Sequence, residues 1–321
     1  MISLNELSAD IVVTLTARAE PLQVAVSRLA NGAEVVDAGV ATVGSLEAGR
    51  LFAEACMAGL GTVGFHALHL DDLVLPGVEV AVDRPVLACM AAQYAGWAVK
   101  VPASFESEAY FAMGSGPARA LYRGDSIFDT LDYADPGSVA VLALEARRLP
   151  SAEVAAWIAA KCRVPADALH LIVAPTASLV GSVQVAARIV ETGLHKMHEV
   201  GFDIGTVRAG FGSCPLAPVA GDDLTAIGRT NDAVLYGGRA WYTVETDDAL
   251  IEAVIEQLPS AASRDYGASF GDLFRQYDGD FYKIDPLLFS PAELALTNMT
   301  SGRTFRAGHV DAAMVAETLL A

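Results

Sequence analysis

The order of apolar and polar positions predicts a chain in which helices and strands alternate. Positions 3–30 carry helical, amphipathic spacing, with Pro21 as an interruption near the last turns. Short β-like runs follow at Glu34–Asp37 and Val40–Val43, around Gly39. Leu46–Gly59 is rich in Ala and Leu and reads as a helix that ends at glycine, as helices often do. Thr62–Leu70 alternates as a strand does, Val86–Tyr94 suits a buried helix, and Val139–Leu144 suits a buried strand. Ser151 is placed to N-cap a helix over Ala152–Cys162, with Glu153 in its first turn. Leu169–Ala174 reads as a strand, and Ser182–Val200 and Leu250–Leu258 as helices. Ser290-Pro-Ala-Glu293 spells a capping box with Pro291 at the first helical position.

This alternation over 321 residues predicts an α/β fold, with α+β-like mixed sheets, in two α/β lobes. The expected lobes are residues 1–165 and 166–321, with a return of the C-terminal segment to the first lobe left open. Two glycine-serine helix openings echo each other: Val43-Gly-Ser-Leu-Glu-Ala and Val180-Gly-Ser-Val-Gln-Val. Each follows a strand, and each helix carries an Arg shortly before a Glu (Arg50 and Glu54, then Arg188 and Glu191). Duplication and chance likeness in Ala/Gly/Val-rich sequence both account for the echo.

Composition narrows the function classes. Apolar residues make up 53% of the chain, enough for a large core and against disorder. Basic residues number 21 against 39 acidic ones, a net charge of −18, which argues against nucleic-acid and anionic-membrane partners. The N-terminus lacks the basic start and apolar core of a signal peptide, so a cytoplasmic protein is expected. Ala168–Ala187 has no charged residue, but Pro175 and several polar positions interrupt it, so it reads as strand, loop and helix start, not a membrane span. Cys56, Cys89, Cys162 and Cys214 are widely spaced and are expected to be buried, reduced thiols.

Candidate chemistry sits in four places. Gly59-Leu-Gly-Thr-Val-Gly64 has the spacing of a dinucleotide-binding turn, but a helix precedes it and a strand follows, the reverse of what phosphate binding needs. Its glycines are expected to end a helix and, at Gly61, to allow close approach and shape a turn, with Gly61 also a candidate for substrate binding. In Gly114-Ser-Gly-Pro-Ala-Arg-Ala-Leu121, Gly116 is placed as N-cap and Pro117 as the first helical residue. Ser115, Gly116 and Arg119 there are candidates for holding an anionic group of a ligand, against an ordinary loop-to-helix transition.

On the expected helix 182–200, Gln184, Arg188, Glu191 and His195 share one face at spacings of four, three and four, which makes Gln184 and His195 candidates for substrate binding beside the Arg–Glu pair. An Arg and a Glu in a mostly apolar helix are costly to bury unless paired. A paired carboxylate beside an apolar pocket can activate water; a structural ion pair is the other reading. His195 and His198 do not form the H-E-x-x-H spacing of a zinc helix, and surface histidines suit a helix end. In Phe281-Tyr-Lys-Ile-Asp285, aromatic and charged residues alternate as at ligand sites, making Tyr282, Lys283 and Asp285 candidates for binding.

Taken together and in order, the stretches NGAEVVDAGV, EAGRLFAEACMAGLGTV, GSGPARAL, QVAARIVETGLHKMHEVGFD, NDAVLYGG and DGDFYKIDPLLFSPAELALTN resemble the methenyltetrahydromethanopterin cyclohydrolase family. The resemblance implies two α/β lobes with a substrate pocket between them and, as a rule, a homotrimer. It implies a cytoplasmic enzyme of one-carbon metabolism, in methanogenesis or formaldehyde oxidation. Its reaction is the reversible hydrolysis of the methenyl pterin to the 5-formyl form, without metal or redox cofactor. The family's catalytic Arg and Glu, three residues apart, match Arg188 and Glu191; Glu191 is then the general base and Arg188 the group that holds it. A non-catalytic pterin-binding or assembly protein, and a metal-dependent amidohydrolase using His195 and His198, are the alternatives.

Overall fold

A computed structural model describes residues 2–103, 108–278 and 283–320. In chain order the elements are α1 (Leu4–Ala17), α2 (Ala19–Leu22), β1 (Ala25–Arg28), β2 (Glu34–Asp37), α3 (Leu46–Cys56), β3 (Gly61–Leu70) and β4 (Leu73–Val82). A π-helix (Val86–Gln93) leads to β5 (Trp97–Val101), β6 (Tyr110–Ser115), α4 (Ala118–Tyr122), β7 (Ala140–Glu145), α5 (Ala152–Cys162) and β8 (Leu169–Ala174). Then come α6 (Leu179–Ala186), α7 (Ile189–Glu199), β9 (Val207–Pro215), α8 (Asp223–Gly237) and β10 (Arg239–Val244). The last elements are α9 (Asp248–Glu252), α10 (Phe270–Gln276), β11 (Glu293–Asn298), β12 (Thr304–Gly308) and α11 (Ala312–Leu320).

These elements form an α/β fold with two mixed six-stranded sheets, in two compact units that are each discontinuous in sequence. One unit comprises Met1–Gly61 and Leu87–Gln184, the other Thr62–Val86 and Val185–Ala321. The boundary expected at 165/166 falls inside the first unit. The reason is the pairing of β8, which lies parallel between β2 and β7 and so holds residues 169–174 with the earlier strands.

The first unit's sheet has the order β1-β2-β8-β7-β6-β5 and is covered on both faces. Val154, Ile158 and Cys162 of α5 pack with Val99, Leu142 and Leu171 on one face. Val12 and Leu15 of α1, Leu51 and Phe52 of α3 and Val180 of α6 pack with Val36, Val141 and Ile172 on the other. Burial on both faces explains why β7 and β8 read as continuous apolar runs instead of alternating ones.

Several expectations fail here for local reasons. The helix expected over 3–30 is α1, N-capped by Ser3 through the amide of Glu6, then the single turn α2, which Gln23 ends in a left-handed conformation (φ 56°). Ala25–Arg28 becomes the edge strand β1; every residue in it is exposed, so no apolar alternation marks it, and pairing with β2 alone makes it a strand. Val40–Val43 is not a strand. Asp37 binds the amides of Gly39, Val40 and Ala41 through its carboxylate and turns the chain there. The buried helix at 86–93 forms, but with π winding.

The second unit's sheet has the order β12-β11-β10-β9-β4-β3, with β10 parallel to β11 and the pairs β4–β9, β9–β10 and β11–β12 antiparallel. β10 alternates as a one-sided strand should: Ala240, Tyr242 and Val244 are buried and Trp241 is exposed beside Phe211 of β9. α7 and α8 pack on this sheet, and α10 and α11 pack on α8. The capping-box reading of Ser290-Pro-Ala-Glu293 is overturned: Glu293 opens β11 and pairs with Arg239 and Arg306, and the Ser290 hydroxyl donates to Leu258 O. The helix expected at 250–258 is shorter, with α9 followed by a 3₁₀ turn at Ile255–Gln257.

Candidate active site

The helix expected over 182–200 is broken. α6 ends at Ala186, the amide of Arg188 bonds back only three residues to Val185 O (3.0 Å), and α7 starts at Ile189 with Arg188 as its N-cap. Arg188 and Glu191 keep their three-residue spacing across this start. Arg188 Nη1 donates to Glu191 Oε2 at 3.3 Å, and the two side chains are 13% and 7% exposed. Glu191 therefore sits in the first turn of an eleven-residue helix, where the helix dipole favours a carboxylate. Thr192 ties the turn by donating from both its amide (2.8 Å) and hydroxyl (2.9 Å) to Arg188 O.

What seats this turn is a set of glycines that sequence reasoning did not single out. A Cβ at Gly212 of β9 would lie 2.6 Å from Ile189 Cγ2, and one at Gly210 would lie 2.6 Å from Val190 Cγ1. Gly193 of α7 leaves room for Tyr242 of β10, whose hydroxyl donates to Val190 O at 2.7 Å. The helix start thus lies on bare backbone, and its carboxylate is placed by packing that a side chain would prevent. Alternation of Gly with larger residues in Ala209-Gly-Phe-Gly-Ser213 is the sequence signal that could have located this contact.

Further along α7, His195 Nε2 lies 3.5 Å from Glu199 Oε1. Among the described residues no three His, Cys, Asp or Glu side chains gather as a metal-holding group. Lys196, also missed, has no exposed surface, and its ammonium donates to Leu287 O. Burial lowers its pKa to about 8, with Asp285 pulling the other way. Asp285 itself caps the turn at Pro286–Leu288. Burial raises its pKa, but donors from the Ser263 hydroxyl, Leu287 N and Arg264 N outweigh that and hold it below the usual carboxylate range. Asp285 thus ties its own turn to the Ser263–Arg264 segment, while Lys283 is exposed. Tyr282 lies outside the described residues.

The other candidates fall in the first unit. Gln184 is buried and donates to Glu145 Oε2 at 3.2 Å. Gly61 is buried at the start of β3, after a helix end in which Ala58 and Gly59 are both left-handed (φ 56° and 67°) and Gly59 N reaches Glu54 O at 2.8 Å. Helix before and strand after, as the sequence indicated, leave no helix start for a phosphate.

Ser115, Gly116 and Arg119 come together, but around the end of the π-helix. The Ser115 hydroxyl donates to Gln93 O and Gly116 N to Ala92 O (2.9 Å). Pro117, one residue later than expected, is the N-cap of the five-residue α4. Arg119 Nη1 donates to Met90 O (3.0 Å) and Ala92 O (3.1 Å), and its Nε and Nη2 to Asp125 Oδ2 (3.1 and 2.9 Å). Tyr94 and Phe128 flank the guanidinium at 5.0 and 5.4 Å. With no exposed surface, Arg119 ties the π-helix end to Asp125 as a buried, fully engaged cation. The four cysteines are buried and unpaired with one another, and burial pushes the Cys162 thiol up to about 12. No helix among the described residues is long and apolar enough to cross a membrane.

Comparison with known proteins adds to this geometry. Residues 3–319 match the sequence model of a family described as "Cyclohydrolase (MCH)". The chain is 44% identical over 324 residues to a methenyltetrahydromethanopterin cyclohydrolase of Methanocaldococcus jannaschii, covering 99% of this chain and 98% of that one. It is similarly 44% identical over 308 residues to one of a Methylobacterium species, covering 96% and 94%. Against one of Methanosarcina barkeri the identity is 41% over 311 residues, covering 96% and 95%.

Proposed function

The chain belongs to the methenyltetrahydromethanopterin cyclohydrolase family, and from that premise we propose that it hydrolyses N5,N10-methenyltetrahydromethanopterin reversibly to the N5-formyl form, with Glu191 as general base. The observation that carries the role of Glu191 is its ion pair with Arg188 in the first, nearly buried turn of α7.

The chemistry asks little of a protein. The methenyl carbon lies between two nitrogens of a delocalised amidinium cation and is already electrophilic, so the proposed reaction uses neither metal nor redox cofactor. Water adds its oxygen to that carbon while Glu191 accepts a proton. The tetrahedral adduct then loses its bond to N10, which takes up a proton, and the formyl group stays on N5. One of the two water protons ends on N10 and the other in solvent, matching the loss of the substrate's positive charge. Arg188 positions the carboxylate throughout.

Glu191→Gln keeps the shape and removes the base. A positioned acid–base group contributes roughly 10²- to 10⁴-fold, so turnover, read from the loss of the methenyl chromophore, should fall by about that factor while substrate binding persists. Near-normal turnover in this variant would overturn the assignment. Chelator treatment should leave wild-type turnover unchanged. The assembly we propose is a homotrimer, which sedimentation of the purified chain tests.

A further inference from the structure

In the first unit, β7 and β8 are parallel neighbours, with Glu145 opposite Ala174 at their C-terminal ends. The helices that follow them leave to opposite faces of the sheet. α5, after β7, packs on the face of Val99 and Leu142, whereas α6, after β8, packs through Val180 on the face of Val141 and Ile172. Chains that part in this way open a crevice beyond the strand ends, and in α/β sheets that is where ligands bind.

Glu145 is the last residue of β7 and is half-buried at this point. Two neighbours fix its carboxylate. The Thr176 hydroxyl, just past β8, donates to Oε1, and Gln184 Nε2, on α6, donates to Oε2 at 3.2 Å. Each carboxylate oxygen can accept two hydrogen bonds. Thr176 and Gln184 use one on each oxygen and leave one on each, so the group remains a two-pronged acceptor of fixed orientation. Both of these donors are neutral.

We propose that this crevice binds the donor-rich edge of a 2-aminopyrimidinone ring, with Glu145 accepting from the exocyclic amino group and the adjacent ring N–H. Two parallel N–H donors on a planar, nitrogen-rich ring match a fixed carboxylate as a guanidinium does. The assignment rests on the pterin reading of the substrate and names the end of that molecule the crevice takes. Thr176 and Gln184 act as positioning residues. A bland structural role, in which Glu145 only ties the loop after β8, predicts no dependence on the ligand's amino group.

The test measures equilibrium binding of methenyltetrahydromethanopterin and of its 2-desamino analogue to the full chain carrying Glu191→Gln, with and without Glu145→Gln. With Glu145 present, the analogue should bind more weakly than the parent by roughly tenfold to a few hundredfold, the range for a site left with an unmatched polar group. With Glu145→Gln the parent should weaken by a similar factor and the analogue little. Equal binding of the two compounds to the Glu145 chain, or equal weakening of both by the substitution, overturns the assignment. If Glu145→Gln does not fold, the comparison of the two compounds on the Glu145 chain decides by itself. A chain that binds neither compound overturns the pterin reading itself, and the assignment with it.

Discussion

Arg188 and Glu191 meet at 3.3 Å across the start of α7, the Arg as the cap and the Glu one turn in. Removing the Arg leaves a nearly buried carboxylate without its cation. Arg188→Leu should cost about 1–3 kcal/mol of stability and lower turnover by roughly 10²-fold. Arg188→Lys, which keeps the charge but not the fork, should retain more of both. Denaturant midpoints and single-turnover rates on the two variants check this; equal turnover in both would mean that the charge at 188 does not matter.

The same turn depends on Gly212, since a Cβ there would meet Ile189 Cγ2 at 2.6 Å. Gly212→Val should lower stability by about 1–3 kcal/mol through overpacking. Whatever folded protein remains should turn over more slowly, because α7 must shift outward and carry Glu191 with it. A folded Gly212→Val protein with unchanged turnover would separate the seat from the chemistry.

Arg119 is expected to report on stability, not on substrate. Arg119→Met strands Asp125, whose Oδ1 is already buried without a partner. Breaking a buried pair in this way costs about 3–5 kcal/mol. Urea unfolding should show the loss, while KM for the folded fraction stays near the wild-type value; a raised KM without a stability loss would return Arg119 to the ligand.

Asp232, in α8, caps α10 by accepting the amide of Phe270 at 2.8 Å. Burial raises its pKa from 3.8 to about 7; the Phe270 bond opposes this and Asp272 adds to it. The folded state therefore holds this proton more tightly than the unfolded state does. Its stabilising contribution is full below pH 3.8 and is lost as pH rises through about 7. Asp232→Asn keeps an acceptor for Phe270 and cannot ionise. It should flatten the fall in melting temperature across that window and be the more stable chain above it; parallel curves for the two proteins would contradict this.

Legibility followed the range of the cause. The α5 helix was readable because Ser151, Glu153 and the apolar spacing all lie within a dozen residues. β8 and β7 were readable as apolar runs because both of their faces are buried. β1 was not, because its only cause is a backbone partner at β2. The break before Ile189 was hidden because nothing in Val185-Ala-Ala-Arg-Ile189 opposes a helix; packing of Ile189 and Val190 on Gly212 and Gly210, some twenty residues later, fits α7 into place. The pair Arg188 and Glu191 was legible because helical spacing joins them. Glu145 was not, since Thr176 and Gln184 reach it only after the sheet has formed.

The β3–β4 hairpin belongs with strands encoded far downstream: β4 ends at Val82 and its other neighbour, β9, begins at Val207. On a ribosome moving at about 5–20 residues per second, the hairpin would wait roughly ten seconds with one edge of β4 unsatisfied. Its apolar face, Val78, Val80 and Val82, is then an early hazard for association with other nascent chains. Neither unit can be cut out as one contiguous fragment, and since the two units alternate twice along the chain no circular permutation makes either contiguous; a split-protein or domain-swap experiment on this chain would have to graft the hairpin onto the C-terminal half as a separate piece.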